Sequence, residues 1–131
     1  MGARILVIED NRASNDLVCY LLQAFGHRVF SARDGTEGIR IASRERPDLI
    51  VMDLQMGRMG GMETADLLAG DPELAGIPRV AVTAYAMAGD RERVLEGPFD
   101  GYISKPIDPA SFVGLVEAHL PVELRSGPAM P

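Results

Sequence analysis

The feature that most constrains this chain is a regular alternation between short apolar runs and longer segments with helical spacing. Continuous apolar runs of about five residues are typical of parallel strands that are buried on both faces. Strand and helix alternating five times predict a parallel sheet covered by helices on both sides. The five predicted strands are Arg4–Ile8, Arg28–Ala32, Leu49–Asp53, Arg79–Thr83 and Gly101–Ser104.

The segments between the strands carry the periodicity of amphipathic helices. The first segment is followed by Gly26, a C-terminal stop signal, and the residues on its apolar face are Leu17, Val18, Leu21, Leu22 and Phe25. Right-handed crossovers make a doubly wound, single-domain α/β fold the natural solution. The other four helices are predicted at 36–43, 61–68, about 87–95 and 112–120.

Composition limits the class of protein. A chain of 131 residues suits one domain with a real core, and 47% hydrophobic residues argue against disorder. The net charge of −6 and the lack of a basic stripe argue against nucleic-acid and membrane partners. The single Cys19 and the lack of a leader or a membrane-length apolar run predict a cytoplasmic protein. Residues 1–121 are predicted to form the domain, and 122–131 a flexible C-terminal tail.

Polar residues stand at the ends of several predicted strands. Glu9 and Asp10 follow the first strand, Asp53 ends the third, Thr83 ends the fourth, and Lys105 follows the fifth. In open α/β sheets, ligands bind outside the carboxyl ends of the strands, near the switch in strand order. If the first, third and fourth strands are neighbours, three carboxylates, a hydroxyl and an ammonium share one pocket.

Three carboxylates in one pocket require compensation. Two unit charges about 4 Å apart repel by roughly 4 kcal/mol at an effective dielectric near 20. Either one carboxyl group stays protonated, or a cation lies there, and hard oxygen ligands suit Mg²⁺ or Mn²⁺. At a strand end, Asp53 is a positioned nucleophile able to attack phosphorus. The glycine-rich stretch after Asp53 lets the backbone carbonyl of Gln55 turn toward the metal.

Each of these residues also has an ordinary structural explanation. Asp10 suits the N-cap of the first helix, and Thr83 is a common strand residue. Lys105 has the alternative of a solvated surface lysine, although the Lys-Pro step favours a fixed turn, with a cis bond as one option. Tyr102 suits an ordinary packed aromatic.

Four short motifs in this order resemble the response-regulator receiver family, the CheY-like domains of bacterial two-component signalling. The resemblance covers about residues 4–120, and two further stretches are similar to stand-alone receivers of the DivK type and to receivers fused to hybrid kinases. It implies a flavodoxin-like sheet with strand order 2-1-3-4-5 and five helices. The four motifs are Val7–Asn11, Met52–Met56, Val82–Ala84 and Tyr102–Pro106, and the two further stretches are Thr83–Asp90 and Gly101–Ile107.

The resemblance also implies roles for individual residues. It makes Asp53 the phosphoacceptor and gives Mg²⁺ the ligands Glu9, Asp10, Asp53 and the Gln55 carbonyl. It has Thr83 and Lys105 contact the phosphoryl group. It also makes Tyr102 the rotating aromatic of the switch and Ala84 the small residue that leaves access to the site. The implied protein is a regulator rather than an enzyme. Its partners are a histidine kinase or histidine phosphotransfer protein and a downstream protein, which binds the face of helix 4, strand 5 and helix 5. Its state is a monomer or a weak dimer.

The chain departs from the family pattern in the loop after Asp53. Gly57 stands where the family usually has proline, and Gly60 where it often has aspartate. Glycine adds backbone freedom, so a more mobile loop is predicted at 57–61.

Three rival functions remain at this stage. A phosphate-independent pseudo-receiver that only binds partners is kept open by that glycine-rich loop. An aspartyl phosphohydrolase of the haloacid-dehalogenase type needs a second acid where Gln55 stands. A flavodoxin needs a phosphate loop where this chain has Glu9 and Asp10.

Overall fold

The five predicted strands form one parallel sheet. The computed structural model describes residues 2–56, 59–84 and 89–126. Its strands lie in the order β2-β1-β3-β4-β5, and every neighbouring pair is parallel. The predicted flavodoxin-like topology is therefore confirmed. The bounds are β1 Arg4–Ile8, β2 Arg28–Ala32, β3 Leu49–Asp53, β4 Arg79–Thr83 and β5 Gly101–Ser104.

Five helices connect and cover the strands. They are α1 Arg12–Ala24, α2 Gly35–Glu45, α3 Gly61–Ala69, α4 Asp90–Glu96 and α5 Phe112–Glu117. The fourth helix was predicted from about residue 87, but positions 85–88 lie outside the described residues. The last helix ends at Glu117, three residues earlier than its apolar spacing predicted. None of the helices in the described ranges is long and apolar enough to cross a bilayer.

Successive side chains of the strands enter two separate cores. Ile5 and Val7 of β1 belong to the cluster beneath α1 and α5, whereas Leu6 and Ile8 belong to the cluster beneath α2, α3 and α4. All four side chains are almost completely buried, and each stabilises the fold by about 1.5–3 kcal/mol. With both faces packed, the strand ends are held in fixed positions relative to one another.

The first five residues of the predicted tail are structured rather than loose. Val122–Leu124 forms a 3₁₀ turn, and Leu124 packs against the cluster beneath α1 and α5. Ser126 donates to the Glu117 carboxylate through both its backbone N–H, at 2.9 Å, and its hydroxyl, at 3.0 Å. Residues 127–131 lie outside the described part.

Glu117 also joins this segment to the buried His27. The His27 Nδ1 accepts from the backbone N–H of Ala3 at 2.9 Å, so Nε2 carries the ring proton and donates to Glu117 Oε2 at 2.6 Å. Burial acts to raise the pKa of Glu117, but the hydrogen bonds from His27 and Ser126 outweigh it and hold that pKa below its ordinary value. His27 thus has a structural role, joining the start of β1 to the end of α5.

We expect Glu117→Gln to destabilise the protein at neutral pH and to matter less in acid. A lowered folded-state pKa contributes stability above the ordinary carboxyl pKa, and this contribution is lost as pH falls through the folded value. Loss of hydrogen bonds to a charged acceptor costs about 1.5–3 kcal/mol. Urea unfolding from pH 7 to pH 3 measures the difference, with the exposed Glu123→Gln as control. A constant difference between Glu117→Gln and parent over this range contradicts the prediction.

Candidate functional site

The carboxyl ends of the central strands meet at one edge of the sheet. Ile8 pairs with Met52, so Glu9 and Asp53 are the next residues along two neighbouring strands. Thr83 pairs with Ser104 on the other side of β3, and Lys105 follows directly. Four strands, β1, β3, β4 and β5, thereby bring acid, hydroxyl and amine groups from distant parts of the chain to the same edge.

Three carboxylates converge at this edge. Glu9, Asp10 and Asp53 each place one carboxylate oxygen within 4.8 Å of the other two. Glu9 is 4% exposed and Asp53 is 5% exposed, whereas Asp10 faces solvent. The predicted meeting of these acids is therefore found. A set of hard oxygen donors with one open side suits Mg²⁺, which retains several waters when bound.

Lys105 bridges two of the three acids. Its Nζ donates to Glu9 Oε1 at 2.9 Å and to Asp53 Oδ2 at 3.0 Å. Burial alone would lower the pKa of Lys105, but these two carboxylates outweigh it and raise that pKa above its ordinary value. The alternative of a solvated surface lysine is therefore wrong. The Lys105–Pro106 peptide bond is cis, the option that the Lys-Pro step left open.

The electrostatic balance of the site is negative. Burial raises the pKa of Glu9, and the neighbouring Asp53 charge adds to the rise, against hydrogen bonds from the Asn11 N–H and Lys105. One ammonium faces three carboxylates, so negative charge remains at the site for a second cation to neutralise. The donor set of this edge accordingly fits a divalent metal.

Asp53 is held in one orientation by hydrogen bonds to both carboxylate oxygens. Oδ2 accepts from Lys105, and Oδ1 accepts from the Gln55 backbone N–H at 2.9 Å. Both oxygens of this almost buried carboxylate therefore have a hydrogen-bond donor. The backbone N–H of Gln55 thus orients Asp53, while the proposed metal contact of the Gln55 carbonyl stays a prediction.

Asp10 is not the N-cap of α1. Asn11 occupies that position, and its Oδ1 accepts from the Ser14 backbone N–H at 2.9 Å. The structural explanation for Asp10 is therefore wrong. Asp10 instead stands one residue before the cap, with its carboxylate beside those of Glu9 and Asp53.

The predicted switch and access residues lie on β5 and at the end of β4. Thr83 is completely buried at the end of β4, and the exposed Ala84 follows it. Tyr102 is half-buried on β5 and packs against the cluster beneath α2, α3 and α4. Their positions are compatible with the predicted roles, which stay predictions.

The glycines after Asp53 differ in what they do. A Cβ at Gly61 would lie 2.5 Å from the Asp53 carbonyl oxygen and 2.6 Å from the Leu54 Cα, both of which are backbone atoms. A Cβ at Gly60 would meet only the Leu54 carbonyl oxygen, at 4.0 Å. Gly61 therefore lets α3 begin against the backbone at the end of β3. The greater mobility predicted for the loop at 57–61 stays a prediction, and two of its residues, 57 and 58, lie outside the described ranges.

Sequence reasoning missed Asn15. This residue is 7% exposed and lies on the buried face of α1 with Val18 and Leu22. Its side chain donates to the backbone carbonyl of Glu9 at 3.0 Å. The available signal was a polar residue at the helical spacing of buried apolar ones.

Comparisons with known proteins agree with this geometry. Residues 5–117 match the model of the response regulator receiver domain. The polar-differentiation response regulator DivK of Brucella anthropi is 39% identical over 120 residues, which are 92% of this chain and 98% of that protein. A solved structure of similar fold is the receiver domain of the Pseudomonas aeruginosa sensor histidine kinase PA1611, which has magnesium coordinated in its active-site cleft. It is 30% identical to this chain with a TM-score of 0.81, and the match covers 90% of this chain and 97% of that one. Vibrio cholerae CheY4 shares the fold with a TM-score of 0.85 at 23% identity, over 92% of this chain and 100% of that one.

Proposed function

The chain belongs to the response-regulator receiver family, and from this premise we propose that Asp53 accepts a phosphoryl group from a histidine kinase or a histidine phosphotransfer protein. Members of this family are signalling modules rather than classical enzymes. The observation that carries the proposal is the ammonium of Lys105 on Asp53 Oδ2, beside two further carboxylates. A nucleophile, a phosphate-binding cation and a set of metal ligands are thus within one small volume.

The proposed transfer uses the groups already in place. A carboxylate oxygen of Asp53 forms a bond to phosphorus as the P–N bond of a phosphohistidine breaks, and the imidazole nitrogen leaves with the electron pair. The Gln55 N–H keeps the carboxylate oriented during the attack. Lys105 moves from the carboxylate to the incoming phosphoryl oxygens, and the Thr83 hydroxyl donates to one of them. Glu9, Asp10, Asp53 and the Gln55 carbonyl would hold Mg²⁺ or Mn²⁺, which would supply positive charge against those oxygens.

The signal leaves through the face of α4, β5 and α5. This face has a groove of about 490 Å³, lined among others by Arg91, Tyr102, Pro106 and Leu115. We propose that a downstream protein binds there, and that Thr83 and Tyr102 couple the phosphorylated site to it. Each tenfold population shift requires only about 1.4 kcal/mol of differential interaction.

A cytoplasmic location and a monomeric or weakly dimeric state remain predictions.

The proposal is tested by offering the protein a small phosphoryl donor. Incubation with acetyl phosphate and MgCl₂ should add one phosphoryl group per chain, as read by intact-protein mass spectrometry. The same incubation with excess EDTA should add none, because three carboxylates repel an uncompensated phosphoryl dianion. A chain that gains no mass at any Mg²⁺ concentration contradicts the proposal and favours the phosphate-independent pseudo-receiver.

A further inference from the structure

We propose that Asn15 is a positioning residue for the metal-binding turn, because it holds the backbone that carries Glu9 and Asp10. This inference rests on the proposed function, since it assigns Asn15 a part in binding the cation which that function requires. Asn15 belongs to α1 and does not touch the three acids through their carboxylates. Its contribution is made through the main chain.

The amide nitrogen of Asn15 joins the ends of two strands. Nδ2 donates to the Glu9 carbonyl at 3.0 Å and to the Ala32 carbonyl at 3.3 Å, and the Glu9 N–H also donates to Ala32 at 3.0 Å. The paired registers of β1 end at Ile8, so the Glu9 carbonyl lies beyond the sheet ladder. A buried carbonyl needs a donor, and Asn15 provides one.

The orientation of the Asn15 amide is determined from both sides. Its Oδ1 accepts from the Ser31 hydroxyl at 2.8 Å and from the Cys19 thiol at 3.2 Å. The two backbone carbonyls opposite can only accept, so the amide nitrogen must face them. Asn15 therefore has one arrangement that satisfies all four partners.

This arrangement opposes the repulsion within the acidic turn. The turn carries two of the three converging carboxylates, and their charges favour separation when no cation is bound. Fixing the Glu9 backbone keeps Glu9 and Asp10 facing Asp53 before the metal arrives. Loss of outer partners of this kind lowers metal affinity by roughly 10–100-fold.

The test is Mg²⁺ binding by the full chain. Asn15→Leu has a similar shape but cannot donate, and we expect its Mg²⁺ dissociation constant to rise about tenfold in isothermal titration calorimetry. Acetyl phosphate uptake by Asn15→Leu should need correspondingly more Mg²⁺ for half-saturation. At saturating Mg²⁺ its rate should return to that of the parent, since Asp53, Thr83 and Lys105 are untouched.

Two further variants separate positioning from general stability. Val116→Ala removes completely buried side-chain volume from α5, a helix that carries none of the three acids, and should leave Mg²⁺ affinity unchanged while lowering the unfolding midpoint. If Asn15→Leu does not fold, Asn15→Ala is titrated in its place with the same expectation.

Each outcome of these titrations tests either the role of Asn15 or the proposed function. Equal Mg²⁺ affinity in the parent and the folded Asn15 variant overturns the inference, and so does an equal loss in Val116→Ala. A parent chain that itself binds no Mg²⁺ contradicts the proposed function, not the role of Asn15 alone.

Discussion

Asp53→Asn is expected to abolish phosphoryl uptake completely. An amide has no anionic oxygen that can form a bond to phosphorus, so the loss is total rather than partial. The amide oxygen can still accept from the Gln55 N–H, and the side chain keeps its size. We therefore expect a folded protein that gains no phosphoryl group from acetyl phosphate at saturating Mg²⁺, by intact-protein mass spectrometry.

The matched control for this prediction is Asp66→Asn. Asp66 is an exposed acid on α3 and is not among the three converging carboxylates, so its variant should gain one phosphoryl group like the parent. Saturating Mg²⁺ is needed because Asp53 is also a proposed metal ligand. If Asp53→Asn gains the same mass as the parent, another residue is the phosphoacceptor.

Asp10→Asn is expected to weaken Mg²⁺ binding by at least tenfold, or about 1.4 kcal/mol. The substitution removes one of three negative charges and leaves a weaker amide ligand in its place. Asp10 is better suited to the test than Glu9, because Glu9 also holds Lys105 and the Asn11 N–H. Asp10 is exposed, so its replacement should change the unfolding free energy little.

Isothermal titration calorimetry measures the change in Mg²⁺ affinity. The titration is made at about 0.1 M salt, because weaker screening at lower salt would exaggerate the effects of distant charges. Asp16→Asn serves as control, because Asp16 is another exposed acid near the start of α1 and is outside the converging set. Its Mg²⁺ dissociation constant should equal that of the parent. Indistinguishable values for Asp10→Asn and Asp16→Asn would remove Asp10 from the metal site.

The strands and the meeting of the acids were predictable because they follow from local pattern and from one geometric rule. Short apolar runs specify strands that are buried on both faces, and in a parallel sheet all carboxyl ends share an edge. Glu9 and Asp53 therefore had to lie near each other once β1 and β3 were neighbours. The predicted element bounds agree with the structure to within about three residues, which is the usual precision at fraying ends.

Local pattern could not decide which of two explanations applied to Asp10 and Lys105. Both aspartate and asparagine make good N-caps, and which of the two caps α1 depends on where β1 ends and the helix begins; here Asn11 is the cap. Lys105 is followed by proline in the sequence, but only the packed sheet brings its amine onto Glu9 and Asp53, 96 and 52 residues away.

By itself, the sequence determined the parallel sheet, its element order and the acids at its edge, because periodicity and strand-end chemistry are local properties. Only the tertiary structure decided the bridging role of Lys105, the anchoring of Glu9 by Asn15 and the joining of His27, Glu117 and Ser126. Each of these depends on which distant backbone and side-chain atoms are close enough to exchange a hydrogen bond. Only the tertiary structure likewise explains Gly61, since backbone atoms of Asp53 and Leu54 occupy the space that a Cβ there would need.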